Sequence, residues 1–245
     1  SSRPEVAETA TSGHGGARGG QGGHADVRRV RALGMFIDTL LANKVIFVTG
    51  GGSGLGYSMS KRFLELGASV VIASRRFELL ERSAGELKDA TGGEVLPVRL
   101  DVRSPDEVAA AFDAAEDRFG RIDALVNNAA GNFASPTERL SHRAFDAVLG
   151  IVLHGTVYAT LELGKRWIAA GRGGTVLSIA ATYAERGSGY VVPSAVAKAG
   201  VVRVKPCLED APSTTSWSPS PASQGRIRRL RGFNRRRVWS LAWWG

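Results

Sequence analysis

Apolar positions along the chain fall into two alternating patterns from Lys44 onward. Short β-branched runs predict buried strands, and segments with apolar residues three or four positions apart predict helices. Strands that alternate with helices predict an α/β fold with a doubly wound parallel sheet, which is a Rossmann fold. The predicted strands are Val45–Thr49, 69–73, 95–100, Ala124–Asn127 and 174–179. The predicted helices are 55–66, 77–90, 104–119, a long bent stretch at 141–170, and one that begins near residue 193.

This regularity is limited to the middle of the chain and divides its 245 residues into three regions. Residues 1–34 are rich in small residues without apolar periodicity, and we predict a disordered N-terminal extension. Residues 35–202 form the predicted folded domain, and Met35 at its start is hypothesised to be the native initiator. Residues 203–245 hold four of the five tryptophans and a Ser/Pro/Thr-rich stretch, and we predict an atypical, disordered tail.

The net charge of +9 is unevenly distributed along the chain. Residues 1–34 carry five basic and three acidic side chains, and residues 203–245 carry nine basic and two acidic ones. Residues 35–202 therefore carry eighteen basic and eighteen acidic side chains. The predicted folded domain is therefore neutral overall. Basic flanks can bind polyanions without specificity, but a solvated tail is the preferred interpretation, so no specific nucleic-acid partner is expected.

Three further features restrict the class of protein. The single cysteine, Cys207, excludes an internal disulfide, and no metal site is predicted. No apolar run approaches the roughly 20 residues of a membrane span. Residues 1–34 lack the apolar core of a signal peptide, so we expect a cytoplasmic protein without membrane contact.

A glycine-rich turn between the first predicted strand and helix is the first chemical motif. Glycines let the backbone approach a pyrophosphate closely, and the free N–H groups of the helix N-terminus face its charge. A plain glycine-rich turn is the alternative, which the strand–turn–helix context disfavours. The predicted cofactor-binding residues of this turn are Thr49, Gly50, Gly52, Ser53, Gly54, Leu55 and Gly56.

Residues after the next three strands extend this predicted cofactor site. Arg75 and Arg76 close the second strand where a carboxylate would favour NAD, and their guanidinium groups suit a 2′-phosphate. NADP(H) is therefore favoured over NAD, although a solvated basic helix start is the alternative. Asp101, followed by Val102, is placed to accept from the adenine amine. The small residues around Asn128 and Ala129 let a cofactor lie along the sheet edge.

Together these motifs resemble the short-chain dehydrogenase/reductase family over about residues 35–202, which implies a dinucleotide-binding and catalytic domain. The glycine-rich turn is common to the whole superfamily. Two later stretches are more specific and are similar to the 2,4-dienoyl-CoA reductase branch. They are residues 127–141, reading NNAAGNFASPTERLS, and residues 179–200, reading IAATYAERGSGYVVPSAVAKAG.

One departure from the common family pattern supports this narrower resemblance. Most members reduce carbonyls with a tyrosine four positions before a lysine, but here Ser194 precedes Lys198 and Ala181 stands near the helper serine position. Tyr190 lies eight positions before Lys198, which is the wrong helical spacing. Dienoyl reductases show the same substitution, and their pattern implies that Tyr183 acts instead.

The resemblance implies NADPH-dependent reduction of a 2,4-dienoyl-CoA in the degradation of unsaturated fatty acids. Tyr183 and Asn132 would stabilise charge on the thioester oxygen, while Lys198 would bind the nicotinamide ribose and hold Ser194. A packed aromatic residue is the alternative for Tyr183. The positions implied to contact the acyl-CoA substrate are Arg103, Phe133 and Ser141.

Relatives in this family continue beyond the Lys198 helix with further helical turns and two more strands, which form subunit interfaces. That pattern is absent after Val202, so the C-terminal strands and helix are interpreted as missing or replaced, with a reading-frame shift as the hypothesis. Homo-oligomers, which the relatives form, are therefore in doubt here. Three other functions stay open: another carbonyl or alcohol oxidoreductase, a truncated inactive chain that binds nucleotide, and a polyanion-binding protein.

Overall fold

The structure, a computed structural model, describes residues 37–209. The predicted disordered extension and most of the predicted tail lie outside these residues. Five strands are present in this part of the chain: β1 (Val45–Thr49), β2 (Ser69–Ser74), β3 (Val95–Arg99), β4 (Ala124–Asn127) and β5 (Thr175–Ser178). Seven α-helices accompany them: α1 (Gly54–Glu65), α2 (Phe77–Thr91), α3 (Pro105–Phe119), α4 (His142–Leu149), α5 (Gly155–Ala169), α6 (Tyr183–Arg186) and α7 (Val192–Glu209).

The five strands form one parallel sheet in the order β3-β2-β1-β4-β5. Central strand β1 pairs with β2, in a register that sets Phe47 opposite Val71, and with β4, where Phe47 lies opposite Leu125. Every residue of β1 is buried because helices cover both faces of the sheet. The predicted Rossmann-type parallel sheet is therefore confirmed, and all five predicted strands are present.

Alternate residues of the strands supply two separate cores. On one face, Phe47 packs edge-on against Phe112 of α3, with ring centroids 4.8 Å apart, and Leu163 of α5 joins the same cluster. On the other face, Val48 and Leu80 of α2 belong to the second cluster. Burying each such side chain contributes about 1.5–3 kcal/mol. These two layers hold the carboxyl ends of the strands in place.

The long helical stretch predicted at 141–170 is continuous but contains a π-helical turn, Gly150–His154, between α4 and α5. The whole segment, His142–Ala169, is long and apolar enough to meet the length and composition criteria for a membrane span. Core helices have the same composition, and Leu163 and Trp167 of this segment are buried in the core that covers the sheet. Packing thus accounts for its buried apolar residues, whereas Leu161 and Ile168 of the same segment are exposed.

Two features of the C-terminal part of the described chain differ from the sequence pattern. Helix α7 ends at Glu209, seven residues beyond the predicted boundary at Val202. Val201 is buried with Val148 and Val152, and a helix anchored in this way extends at little cost. Short helix α6 was not predicted. Within residues 37–209, β5 is an edge strand, and all four of its residues are only partly buried.

We expect the variant Gly56→Ala to be destabilised by about 1–3 kcal/mol through overpacking. A Cβ atom at Gly56 would lie 2.2 Å from the carbonyl oxygen of Gly50, which belongs to the turn that α1 closes. The matched control is Gly85→Ala in α2, where no atom lies within 4 Å of the added Cβ. That control should be stabilised by about 0.5–1 kcal/mol. Urea unfolding of both variants measures the difference, and equal stability would contradict the close packing of the turn.

Candidate active site

The candidate residues lie at one edge of the sheet, where the parallel strands all end. The glycine-rich turn follows β1, the arginine pair follows β2, and the loop with Asp101 and Arg103 follows β3. The loop after β4 carries Asn132, and the segment after β5 leads through α6 into α7. Open parallel sheets bind ligands at this edge. The topology therefore brings together residues that are far apart in the chain.

The glycine-rich turn has the geometry that a phosphate group requires. Gly50 and Gly54 have positive φ angles of 68° and 54°, which a side chain would strain. No atom lies within 4 Å of a Cβ placed at Gly54. Ser53 is the N-cap of α1, yet its side chain makes no capping hydrogen bond, so the first N–H groups of α1 stay open to an anion. These residues fit the pyrophosphate of a nicotinamide cofactor.

Two residues predicted to bind the cofactor instead use their side chains to support this turn. The Thr49 hydroxyl accepts the N–H groups of Asn128 and Ala129, both at 3.0 Å, and donates to the carbonyl of Val126. The Asn128 side chain donates to the carbonyls of Thr49 and Gly50, both at 3.1 Å. The turn after β1 and the loop after β4 therefore form one hydrogen-bonded unit.

Ser83 of α2 is a supporting residue that sequence reasoning missed. Its buried hydroxyl donates to the carbonyl of Gly52 at 2.8 Å and ties the turn to the next helix. Only its helical position relative to Leu80 and Leu87 could have indicated that it faces inward. The turn is thus held from two directions.

The end of β2 presents positive charge to the same edge of the sheet. Arg75 and Arg76 are both exposed, and Phe77 begins α2 directly after them. Ser74 precedes them, and its buried hydroxyl has no hydrogen-bond partner among residues 37–209. Exposed guanidinium groups at this position suit an anionic group with oxygen atoms.

The loop after β3 brings together two residues that the sequence assigned to different ligands. Arg103 Nε donates to Asp101 Oδ1 at 2.9 Å, and Arg103 Nη2 donates to Oδ2 at 2.5 Å. These hydrogen bonds lower the pKa of the Asp101 carboxyl, and the charge of Arg75 adds to that effect. Val102 between them is buried in the core. Asp101, predicted to bind adenine, and Arg103, predicted to bind the substrate, therefore form one ion pair.

Tyr183, Ser194 and Lys198 form a small cluster at the start of α6 and in α7. The Tyr183 hydroxyl lies 2.9 Å from Ser194 Oγ, so the tyrosine has a polar partner in addition to its packing. Lys198 is only 6% exposed, and its ammonium group donates to the carbonyl of Ile179. Burial lowers the pKa of Lys198 to about 8. The sequence placed Ser194 beside Lys198, whereas its hydroxyl bonds to Tyr183.

The loop after β4 and the start of α4 are more open to solvent. Asn132 is exposed, and its Oδ1 accepts the N–H of Phe133 at 2.9 Å. Phe133 is 37% exposed at the same loop. Ser141 caps α4 by accepting the N–H of Ala144 at 3.2 Å. Within residues 37–209 no hydrogen bond joins Asn132 to Tyr183, so the two predicted oxyanion donors belong to separate hydrogen-bond groups.

Asn127, at the end of β4, is a buried polar residue that the site prediction left out. Its amide donates to the hydroxyls of Thr160 at 2.9 Å and Ser178 at 3.3 Å, linking α5 and β5. Its Oδ1 is buried and has no partner among the described residues. No group of three or more metal-ligating side chains occurs in residues 37–209.

Comparison with known proteins places this arrangement in a family. The model of the short chain dehydrogenase family matches residues 44–214. The chain belongs to the short chain dehydrogenase family. The family comprises oxidoreductases that bind a nicotinamide cofactor, so the predicted resemblance is confirmed at this level.

Individual relatives of this short chain dehydrogenase support the same assignment. An uncharacterized oxidoreductase of Caenorhabditis elegans is 52% identical over 162 residues, which is 66% of this chain and 52% of the relative. A probable 2,4-dienoyl-CoA reductase from the same organism is 48% identical over 182 residues, covering 74% of this chain and 57% of the relative. The chain thus spans little more than half the length of these curated relatives.

A solved structure shows the same fold. A short chain dehydrogenase from Bacillus anthracis has a TM-score of 0.67 and 42% sequence identity, over 69% of this chain and 68% of that chain. At this identity the likeness extends beyond general topology. The short chain dehydrogenase described here therefore shares its fold with an experimentally determined member of the family.

Replacing buried Lys198 with methionine should stabilise the protein at pH 7 by about 1–3 kcal/mol, because methionine carries no charge to desolvate. Below pH 8 the wild type holds the full penalty of the buried charge. Between about pH 8 and pH 10.5 folded Lys198 loses its proton before the unfolded chain does, so the wild type gains stability and the difference shrinks. Thermal unfolding from pH 7 to 10 measures this trend.

The control for that series is Lys165→Met, which changes an exposed lysine of α5. It should shift the unfolding midpoint little at any of these pH values. A Lys198→Met variant less stable than the wild type at pH 7 would contradict the burial penalty.

Proposed function

We propose that this short chain dehydrogenase reduces 2,4-dienoyl-CoA thioesters with NADPH. The observation that carries the proposal is the hydrogen bond between the hydroxyls of Tyr183 and Ser194, whose oxygens are 2.9 Å apart. Ser194 stands four residues before Lys198, at the position where most family members have a tyrosine. Named dienoyl-CoA reductases of Caenorhabditis elegans and Bacillus subtilis are 48% and 41% identical to the matched regions. Both observations favour reduction of a conjugated thioester over reduction of an isolated carbonyl.

The reaction requires stabilisation of negative charge on the thioester oxygen. Hydride addition to the conjugated chain moves an electron pair toward that oxygen, which then needs hydrogen-bond donors. The Tyr183 hydroxyl can donate to it. Asn132 accepts the Phe133 N–H through Oδ1, and this orientation leaves its side-chain NH₂ group to donate. A solvent-derived proton then completes reduction at the substrate carbon.

Ser194 and Lys198 support this donor instead of replacing it. Ser194 is buried, and its hydroxyl can accept a hydrogen bond from Tyr183 or donate to it, so it orients the phenol. Lys198 has a pKa of about 8 and stays largely protonated at pH 7. A buried ammonium at this edge is suited to donate to the ribose hydroxyls of a nicotinamide cofactor.

The cofactor proposal is NADP(H), which supplies the hydride when it is bound. The open N-terminus of α1 after the glycine-rich turn suits the pyrophosphate. Arg75 and Arg76 suit a 2′-phosphate, and they occupy the positions directly after β2 where a carboxylate would bind a free 2′-hydroxyl. Asp101 is proposed to accept from the adenine amine.

The wider biological role follows from the substrate. Dienoyl thioesters arise during degradation of unsaturated fatty acids, so we place the protein in that process with acyl-CoA as its partner. Because the chain spans little more than half of its curated relatives, this activity of the whole protein is part of the proposal. The cytoplasmic location also stays a prediction.

The purified full chain should consume NADPH when a 2,4-dienoyl-CoA is added, and NADH should serve less well. Loss of NADPH absorbance measures the rate, with ketones and aldehydes as comparison substrates. Faster turnover of ketones would assign the protein to the carbonyl reductases instead. NADPH binding without turnover of any substrate would identify an inactive nucleotide-binding chain.

The variant Tyr183→Phe should lower kcat for the dienoyl thioester about 10²- to 10³-fold, as loss of one oxyanion donor does. The matched control is Tyr190→Phe, which removes the hydroxyl of an exposed tyrosine. That control should keep wild-type kcat. Equal activity of Tyr183→Phe and the wild type would exclude Tyr183 as the donor.

A further inference from the structure

The loop after β3 fixes the position of a charged side chain at the edge of the candidate site. Asp101 accepts the backbone N–H of Arg103 at 3.0 Å in addition to the guanidinium hydrogen bonds. The carbonyl of Asp101 accepts the N–H of Ser104 at 3.0 Å, and its own N–H donates to Glu107 at 2.9 Å. Ser104 caps α3 by accepting the N–H of Glu107, while the Glu107 carboxylate accepts from Asp101. Hydrogen bonds to its N–H, its carbonyl and its carboxylate therefore fix the position of Asp101.

The same loop is pressed against the long helix. Val102 lies so close to Gly155 that a Cβ atom there would be 2.6 Å from its side chain. Gly150, in the π-helical turn, leaves room for the stem of Arg103, whose Cδ would lie 3.5 Å from a Cβ at that glycine. Packing therefore determines where the stem of Arg103 lies. It does not determine how the guanidinium plane is turned.

The ion pair itself determines that orientation. The side chains of Arg103 and Asp101 are 45% and 20% exposed, and ion pairs with this exposure contribute little to stability. A bidentate pair nevertheless fixes the plane of a guanidinium group. Asp101 occupies the Nε side, which leaves the Nη1 hydrogens and one Nη2 hydrogen to face a ligand.

We infer that Asp101 is a positioning residue that turns the Arg103 guanidinium toward the phosphate groups of coenzyme A. This inference rests on the proposed function, because it assigns the phosphates of that substrate to Arg103. Arg75 contributes a second positive charge near Asp101 from the cofactor side. Asp101 thus stands between the two predicted phosphate sites and shapes the one for the substrate.

The charge of Asp101 and its positioning role have opposite effects on coenzyme A binding. Asp101 is an anion beside a site for anions, so its neutralisation alone would strengthen coenzyme A binding. Loss of its positioning role would weaken that binding. The change Asp101→Asn keeps the size of the side chain and one acceptor oxygen, but it removes the charge and the bidentate pairing. The direction of the change therefore separates the two effects.

The experiment compares two dienoyl thioesters at saturating NADPH, one of coenzyme A and one of pantetheine, which lacks phosphate groups. We expect Asp101→Asn to lower the ratio of kcat/KM for the coenzyme A thioester to that for the pantetheine thioester about tenfold. Any effect of Asp101 on the cofactor cancels in this ratio. The matched control is Glu107→Gln in the first turn of α3, which removes a nearby negative charge, keeps an oxygen to accept the Asp101 N–H and touches no hydrogen bond of the Arg103 guanidinium. Its ratio should be unchanged or slightly higher.

Equilibrium binding of free coenzyme A, measured by calorimetry, should weaken by the same factor in Asp101→Asn. An unchanged or higher ratio in Asp101→Asn would overturn the positioning role. A wild type that reduces the pantetheine thioester as well as the coenzyme A thioester would also overturn it, while leaving the proposed reaction intact. If neither thioester is reduced but coenzyme A binding weakens as expected, the proposed function fails and the positioning role stands.

Discussion

The hydroxyl of Thr49 joins the two halves of the site edge, and the rest of the arrangement depends on it. It is 2% exposed, accepts two backbone N–H groups from the loop after β4 and donates to the carbonyl of Val126. Asn128 returns two hydrogen bonds to the turn after β1. Because buried polar groups are costly unless paired, this reciprocal set gives the turn and the loop one shared conformation.

Buried Lys198 is a second constraint, and it acts against stability. An ammonium group in the interior of α7 is desolvated, and the single carbonyl of Ile179 compensates for only part of that cost. A methionine would fill the same space without the penalty. Packing therefore does not account for the lysine, whereas the proposed contact with a cofactor ribose does.

The loop after β3 shows how packing and electrostatics divide their tasks. Two glycines of the long helix allow close approach, so van der Waals contact sets where the loop lies. The ion pair of Asp101 and Arg103 sets the orientation of the exposed end. Asp101 and Arg103, which the sequence assigned to separate ligands, form one electrostatic unit because they lie side by side at the edge of the sheet.

Much of the fold and part of the site follow from local sequence. Apolar runs such as Val45–Thr49 predict buried strands because only a covered parallel sheet accommodates them, and the glycine-rich turn is marked by residue type alone. The spacing of Ser194 and Lys198 also predicts a modified catalytic segment without any structure. Local patterns did not reveal α6, a single helical turn whose packing contacts are with α7.

The sequence by itself therefore determined the order of strands and helices and the residue types at each strand end. Tertiary structure decided what those residues bond to. Thr49 and Asn128 are 79 positions apart, and Ser83 and Gly52 are 31 apart. No local pattern could therefore show that the members of each pair are hydrogen-bonded to each other. Hydrogen bonds form only within about 3 Å, and the folded sheet alone brings such groups to that distance.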